Sequence, residues 1–306
     1  MDNRDIKNRA AQVSIISNVA LISIKLVVGL MMQSVSVLSE AVHSGIDLIA
    51  AIIAWLAVRE SGKPADEEHH YGHGKIENVA GTIEAVLIFA AAIFIIWEAV
   101  AKIRHGDSPV ENLFIGAAVM ALSAVTNYVV SRHLLNVALK TDSVALEADA
   151  MHLRTDVYTS VGVLAGLAAI KLTGITILDP IVAIAVALLI IKAAYDLTKT
   201  AFFHILDIRL PDDEEAVIRS VMAERKGEYV EYHKLRTRKS GHLRYIDMHI
   251  VLPKMMSIED GHNFSHEIAG IIAGRLENSH VLIHTEPCVG DCINCSISCP
   301  PKEAPM

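Results

Sequence analysis

The chain has 306 residues, 52% of them hydrophobic, a mean hydropathy of +0.40 and a formal net charge of −8 from 27 basic and 35 acidic side chains. The apolar residues are not spread evenly: residues 1–206 hold long stretches with few charges, whereas residues 207–287 read as an ordinary soluble domain. The excess acid, gathered at Asp212–Glu215 and Asp66–Glu68, excludes nucleic acid as a partner, because that binding needs clustered lysine and arginine.

A bilayer core is crossed by about 20 mostly apolar helical residues. Six stretches meet that need, near 11–32, 36–58, 79–101, 112–132, 145–171 and 178–203. The first is long enough to span and is read as a retained span, not a cleaved leader. Segments 113–131 and 180–191 lack charge all round, not on one face only, which disfavours a soluble helical bundle. Arg4, Lys7 and Arg9 precede the first span; Arg59, Lys63 and Lys75 follow the second; Arg132 and Lys140 follow the fourth. The opposite side offers only Lys102, Arg104 and Lys171. Positive charge collects on the cytoplasmic side, so both termini are expected there, in a multi-pass protein of the cell's inner (plasma) membrane.

Ionisable groups at membrane depth are costly and mark function by default. In the second span His43 and Asp47 stand four apart, and in the fifth His152 and Asp156 repeat the spacing. Residues i and i+4 share a helix face, so each pair can point at one ion. Together they supply two imidazoles and two carboxylates, a tetrahedral set for zinc whose charge neutralises a divalent cation. A helix-to-helix hydrogen bond is the structural alternative for either pair alone, and the duplication argues against it. Glu40 and Glu84 are expected on a proton or ion path, and Lys25 and Glu98 are expected to snorkel to the interface.

Between the second and third spans the loop PADEEHHYGHGK gathers Asp66, His69 and His73 with Glu67, Glu68 and His70, a second candidate metal cluster or else a solvated polar loop. Beyond the spans, residues 212–226 are predicted as a helix, 229–238 and 243–252 as strands turning at Ser240–Gly241, 258–276 as a helix and 279–285 as a strand. Ile246, Met248 and Ile250 alternate with Asp247 and His249, which puts His249 opposite the apolar stripe, and His284 and Glu286 share a strand face. The expected fold is therefore membrane α-helical: six transmembrane helices over 1–206, then a small cytoplasmic α+β, metallochaperone-like domain over 207–287.

Residues 288–306 form a cysteine-rich tail. Cys288, Cys292, Cys295 and Cys299 are spaced C-x3-C-x2-C-x3-C. Four thiolates so close can enclose zinc, copper(I) or cadmium. The run from Cys292 to Pro300 partly matches a ferredoxin motif, so an iron–sulfur cluster is a further reading. Incidental cysteines or local disulfides are the bland alternatives, and a reducing cytoplasm disfavours the disulfides.

Six spans, the paired His-x3-Asp motifs, the loop ending YGHGK and the following domain with HKLRTR resemble the cation diffusion facilitator family, over residues 10–287. The likeness is nearest to bacterial zinc and ferrous-iron efflux members. It implies a homodimer that exchanges divalent metal for protons across the lipid bilayer, and no enzymatic activity. It implies that His43, Asp47, His152 and Asp156 form the transport site, and that Asp66, His69 and His73 bind metal in the loop. His233, His249, His262, His284 and Glu286 would form a regulatory binuclear zinc site at the dimer interface, with Lys75 and Asp207 as a charge pair tying the dimer together. The chain departs from the bacterial members at His43 and Glu286, where they carry aspartate. The two-nitrogen, two-oxygen transport set favours zinc, with iron, manganese or cadmium as the alternative cargo. A membrane metal sensor or storage protein is the reading from a different class.

Overall fold

A computed structural model describes residues 3–32, 35–105, 113–175 and 177–289. The chain divides into two compact units, residues 1–205 and 206–306. The first holds six long helices: α1 (Asn3–Met32), α2 (Val35–Ser61), α3 (Lys75–His105), α4 (Leu113–Thr141), α5 (Val144–Thr173) and α6 (Leu178–Ile205). α1 packs along α2, α3 along α6 and α4 along α5. Small residues line the contacts: Ala10, Ala11, Ala57, Ala80, Ala145 and Ala150 are all buried, which lets backbones approach closely. Large apolar side chains such as Ile16, Leu30, Trp97, Val125 and Leu188 face outward instead. That inversion of a soluble protein suits a surrounding of hydrocarbon. Among the described residues, Asn3–Met31, Ala41–Ser61, Lys75–Arg104 and Pro180–Ile205 are long and apolar enough to cross a membrane.

The helices outrun their apolar stretches. α1 begins at Asn3 and not near residue 11, because Lys7, Ala10 and Ala11 are buried against its neighbours. α4 continues through Arg132 and Lys140 to Thr141, leaving only Asp142 and Ser143 before α5, where a loop of a dozen residues is predicted. The reason is packing: Leu134, Val137 and Ala138 carry the core past the end of the apolar run. Asp142 closes this turn with a φ of 52°.

The second unit runs α7 (Asp212–Glu224), β1 (Glu231–Ser240), β2 (Leu243–Leu252), α8 (Ile258–Arg275) and β3 (Ser279–Pro287). The sheet order is β1-β2-β3, antiparallel between β1 and β2 and parallel between β2 and β3, with α8 as the crossover. Four acidic residues open α7, where the positive end of the helix dipole favours them. Ser257 caps α8 by accepting from the Asp260 amide at 3.0 Å. Ile246, Met248 and Ile250 of β2 are buried with Ile218 and Met222 of α7 and Phe264, Ile268 and Ile272 of α8. β1 starts at Glu231, later than predicted, because Tyr229 turns inward and donates its hydroxyl to the Met222 carbonyl at 2.8 Å. Its hairpin turns at Gly241, φ 58°, and His242.

Candidate metal sites

The i, i+4 pairs of α2 and α5 meet as the spacing requires. His152 Nε2 lies 3.2 Å from Asp47 Oδ1, and His43 Nε2 lies 4.0 Å from Asp156 Oδ1. Each histidine thus faces the aspartate of the other helix. One ligand atom each from His43, Asp47 and Asp156 falls within 4.8 Å of the others, and His152 joins through Asp47. Asp47 and His152 are buried, whereas the His43 side chain is 51% exposed. Asn127 of α4 donates to Asp156 Oδ2 at 3.4 Å, a contact from a third helix that no local spacing announces. Lys25 does not snorkel. It is buried and donates to Ser44 Oγ at 2.8 Å, because α1 turns that face toward α2 next to His43. Glu98, by contrast, is exposed and 3.9 Å from Lys102. The side chain of Glu40 lies outside the described residues.

In the loop, Asp66 is the organising group. Its Oδ1 accepts from the amides of Glu68 at 3.0 Å and His69 at 2.7 Å, while Oδ2 lies 3.4 Å from His73 Nε2. The backbone hydrogen bond from His69, above all, holds the Asp66 carboxyl below its usual range. The rings of His69 and His73 stand 4.3 Å apart, and Gly72 takes a φ of 75° to fold the chain back. Glu67, Glu68 and His70 point into solvent.

In the second unit, His233, His249 and His284 occupy matching register positions on β1, β2 and β3. Neighbouring ring centroids are 5.5 and 4.7 Å apart. Glu286 joins all three: Oε1 is 2.7 Å from His249 Nδ1 and 3.9 Å from His284 Nε2, and Oε2 is 3.4 Å from His233 Nε2. The hydrogen bond from His249 is the main cause that lowers the Glu286 carboxyl from its ordinary value. A glutamate therefore reaches where the resemblance would place an aspartate. A bulge after His233, with Lys234 at a φ of 51°, twists β1 beside the row. His262 does not join this set. It sits exposed on α8 with its ring 6.0 Å from that of His266. Lys75 donates to the Ile205 carbonyl at 3.2 Å, and Asp207 accepts from Arg238 at 3.5 Å. Cys288 carries a free thiol, and its amide donates to the Leu252 carbonyl. Cys292, Cys295 and Cys299 lie outside the described residues.

Residues 11–206 match the family model of the cation efflux transmembrane domain, and residues 210–288 match that of the cation efflux protein cytoplasmic domain. The chain belongs to the cation diffusion facilitator family. Its members are membrane transporters that export cations, not enzymes, and this chain is a cation efflux transporter with a transmembrane and a cytoplasmic domain. It is 32% identical over 277 residues to the uncharacterized transporter sll1263 of Synechocystis, covering 90% of this chain and 89% of that one. It is also 32% identical to the cation-efflux pump FieF of Yersinia pestis, over 83% of this chain and 84% of the pump. Among solved structures, the metal-bound C-terminal domain of the CzcD transporter from Thermotoga maritima is similar at 30% identity, with a TM-score of 0.24, covering 26% of this chain and 92% of that one.

Proposed function

We propose that this transporter moves zinc out of the cytoplasm in exchange for protons, through a site made by His43, Asp47, His152 and Asp156. The observation that carries the reading is the reciprocal pairing of α2 and α5, histidine to aspartate in both directions, at 3.2 and 4.0 Å. Two nitrogen and two oxygen donors suit zinc, and the two carboxylates offset its charge away from water. Zinc needs neutral imidazole, so a proton on His43 or His152 competes with metal. Facing the cytoplasm the site loads metal and sheds protons; facing outward it takes up protons and releases metal, as alternating access demands.

In this reading all six long helices span the inner membrane, both termini are cytoplasmic, and the protein works as a homodimer. Residues 1–206 are the transport domain, 207–287 the metal-binding and dimerisation domain, and 288–306 a soft-metal tail built on Cys288, Cys292, Cys295 and Cys299. Asp66, His69 and His73 hold a second zinc in the loop. His233, His249, His284 and Glu286 hold regulatory zinc, with His262 and a Lys75–Asp207 charge pair contributing once the dimer forms. The mixed imidazole and carboxylate donors of both sets are those zinc takes.

Purified protein in sealed vesicles provides the test. Zinc uptake that dissipates an imposed pH gradient is expected. Uptake with no proton movement would remove the exchange, and a higher rate with ferrous iron, manganese or cadmium would replace zinc as cargo.

A further inference from the structure

Within the charge-free run of α4, Ser123, Asn127 and Ser131 stand four apart and so share a helix face. All three are buried. Asn127 meets α5 there: its amide nitrogen donates to Asp156 Oδ2 at 3.4 Å. Asp156 therefore divides its two oxygens. Oδ1 faces His43 Nε2 at 4.0 Å, while Oδ2 is engaged by an amide from outside the α2–α5 pair.

A purely structural role does not account for this amide. Asn127 is 5% exposed, and its Oδ1 is buried with no partner among the described residues. In apolar surroundings an acceptor left unsatisfied costs at least as much as one long hydrogen bond gains, so leucine, of similar shape, would serve packing as well. What the amide alone provides is a donor aimed at one chosen oxygen of Asp156. Being neutral, it leaves the carboxylate the negative charge that attracts a cation. The consequence is one of coordination number. A carboxylate with both oxygens free can chelate one ion, which suits cations that gather six or more oxygen ligands. With Oδ2 engaged by Asn127, Asp156 offers a metal one oxygen. His43, Asp47, His152 and Asp156 then supply four donors, the number that zinc takes.

We infer that Asn127 is a positioning residue for the transport site: it holds Asp156 to coordination through one oxygen and so favours zinc over manganese and other cations with larger, oxygen-rich shells. The inference rests on the proposed reading of His43, Asp47, His152 and Asp156 as that site. It adds a determinant of selectivity that contributes no ligand of its own.

The test measures initial rates of zinc and manganese uptake over a range of concentrations, with the purified full chain in sealed vesicles. The parent is compared with Asn127→Leu, Asn127→Gln and Asp47→Ala. Asn127→Leu frees Asp156 Oδ2 at nearly constant volume. Its half-saturating zinc concentration should rise about tenfold, more than its maximal rate falls, and its kcat/KM for manganese relative to zinc should rise about tenfold. Asn127→Gln keeps a donor and should retain most of the parent's ion preference. A residue that served the fold alone would lower the uptake of both metals by one factor and leave their ratio unchanged. That outcome, or an Asn127→Leu chain with the parent's ratio and half-saturation, would overturn the inference. Where Asn127→Leu fails to fold, Asn127→Ala is read by the same ratio. Asp47→Ala separates the two readings. Uptake retained there would remove the transport site itself, whereas uptake lost there, with an unchanged ratio in Asn127→Leu, would remove only the role of Asn127.

Discussion

His43 is the exposed member of the proposed transport set, 51% open and 4.0 Å from Asp156, while its counterpart His152 is buried 3.2 Å from Asp47. An exposed ligand can be exchanged with little repacking, so selectivity is most easily tuned at this position. His43→Asp replaces nitrogen by oxygen and is expected to admit manganese, iron and cadmium more readily, because manganese in particular prefers oxygen shells. Competition uptake shows it, and an unchanged ion ranking would refute this account of selectivity. Asp47→Ala and Asp156→Ala each remove a ligand and a neutralising charge, and both should abolish transport while a thermal melt stays near the parent's. A large fall in melting temperature would instead assign the aspartates to the fold. The meeting of His43, Asp47, His152 and Asp156 was legible because each pair sits four residues apart, a spacing that geometry converts into a shared helix face. Asn127 and Lys25 were not, because each meets its partner only through helix packing, across |i−j| separations of 29 and 19.

Glu77 shows the same limit at the scale of elements. It is fully buried at the start of α3 and gathers Lys7 of α1 at 3.0 Å, Ser61 of α2 at 2.8 Å and Ser143 at the head of α5 at 2.6 Å. One carboxylate thus ties four helices at one end of the unit. Glu77→Ala leaves the Lys7 ammonium buried and unpaired, and should lower stability in detergent by about 3–5 kcal/mol. Adding Lys7→Met should recover much of that loss; a single variant that melts like the parent would show the tie to be idle. In the cytoplasmic domain Arg275 of α8 grips Glu224 of α7 with two hydrogen bonds of 2.6 Å. The bond from Arg275 holds the Glu224 carboxyl below its ordinary value. A carboxylate with a depressed folded-state pKa contributes stability above the unfolded value, about 4.3, and loses it as pH falls through the folded one. Arg275→Gln should therefore flatten the acid limb of the stability profile of this domain and leave its neutral-to-alkaline part little changed in shape. Element types followed from hydropathy and alternation, while the ends did not. The α4–α5 turn shrank to two residues because Leu134 and Val137 extend the core beyond the charge-free stretch that hydropathy detects.

For the whole molecule, the cytoplasmic row of His233, His249 and His284 under Glu286 draws on all three strands, so an ion held there would fasten the sheet across its width. A ligand that binds only the folded state stabilises it by about 2.7 kcal/mol at a hundredfold excess over Kd. Zinc should accordingly raise the melting temperature of the cytoplasmic domain in the full chain, and His249→Ala with His284→Ala should erase the shift. A shift that survives both substitutions would move regulatory zinc elsewhere. The parallel pairing of β2 with β3 has a consequence for biosynthesis. β1 and β2 form a local hairpin, but β3 is translated only after α8. Non-local pairings of this kind form late in folding. The imidazole row is therefore completed only when the ribosome has passed Glu286, so a prematurely terminated chain can carry all six long helices and still lack the third strand and the carboxylate that the row needs.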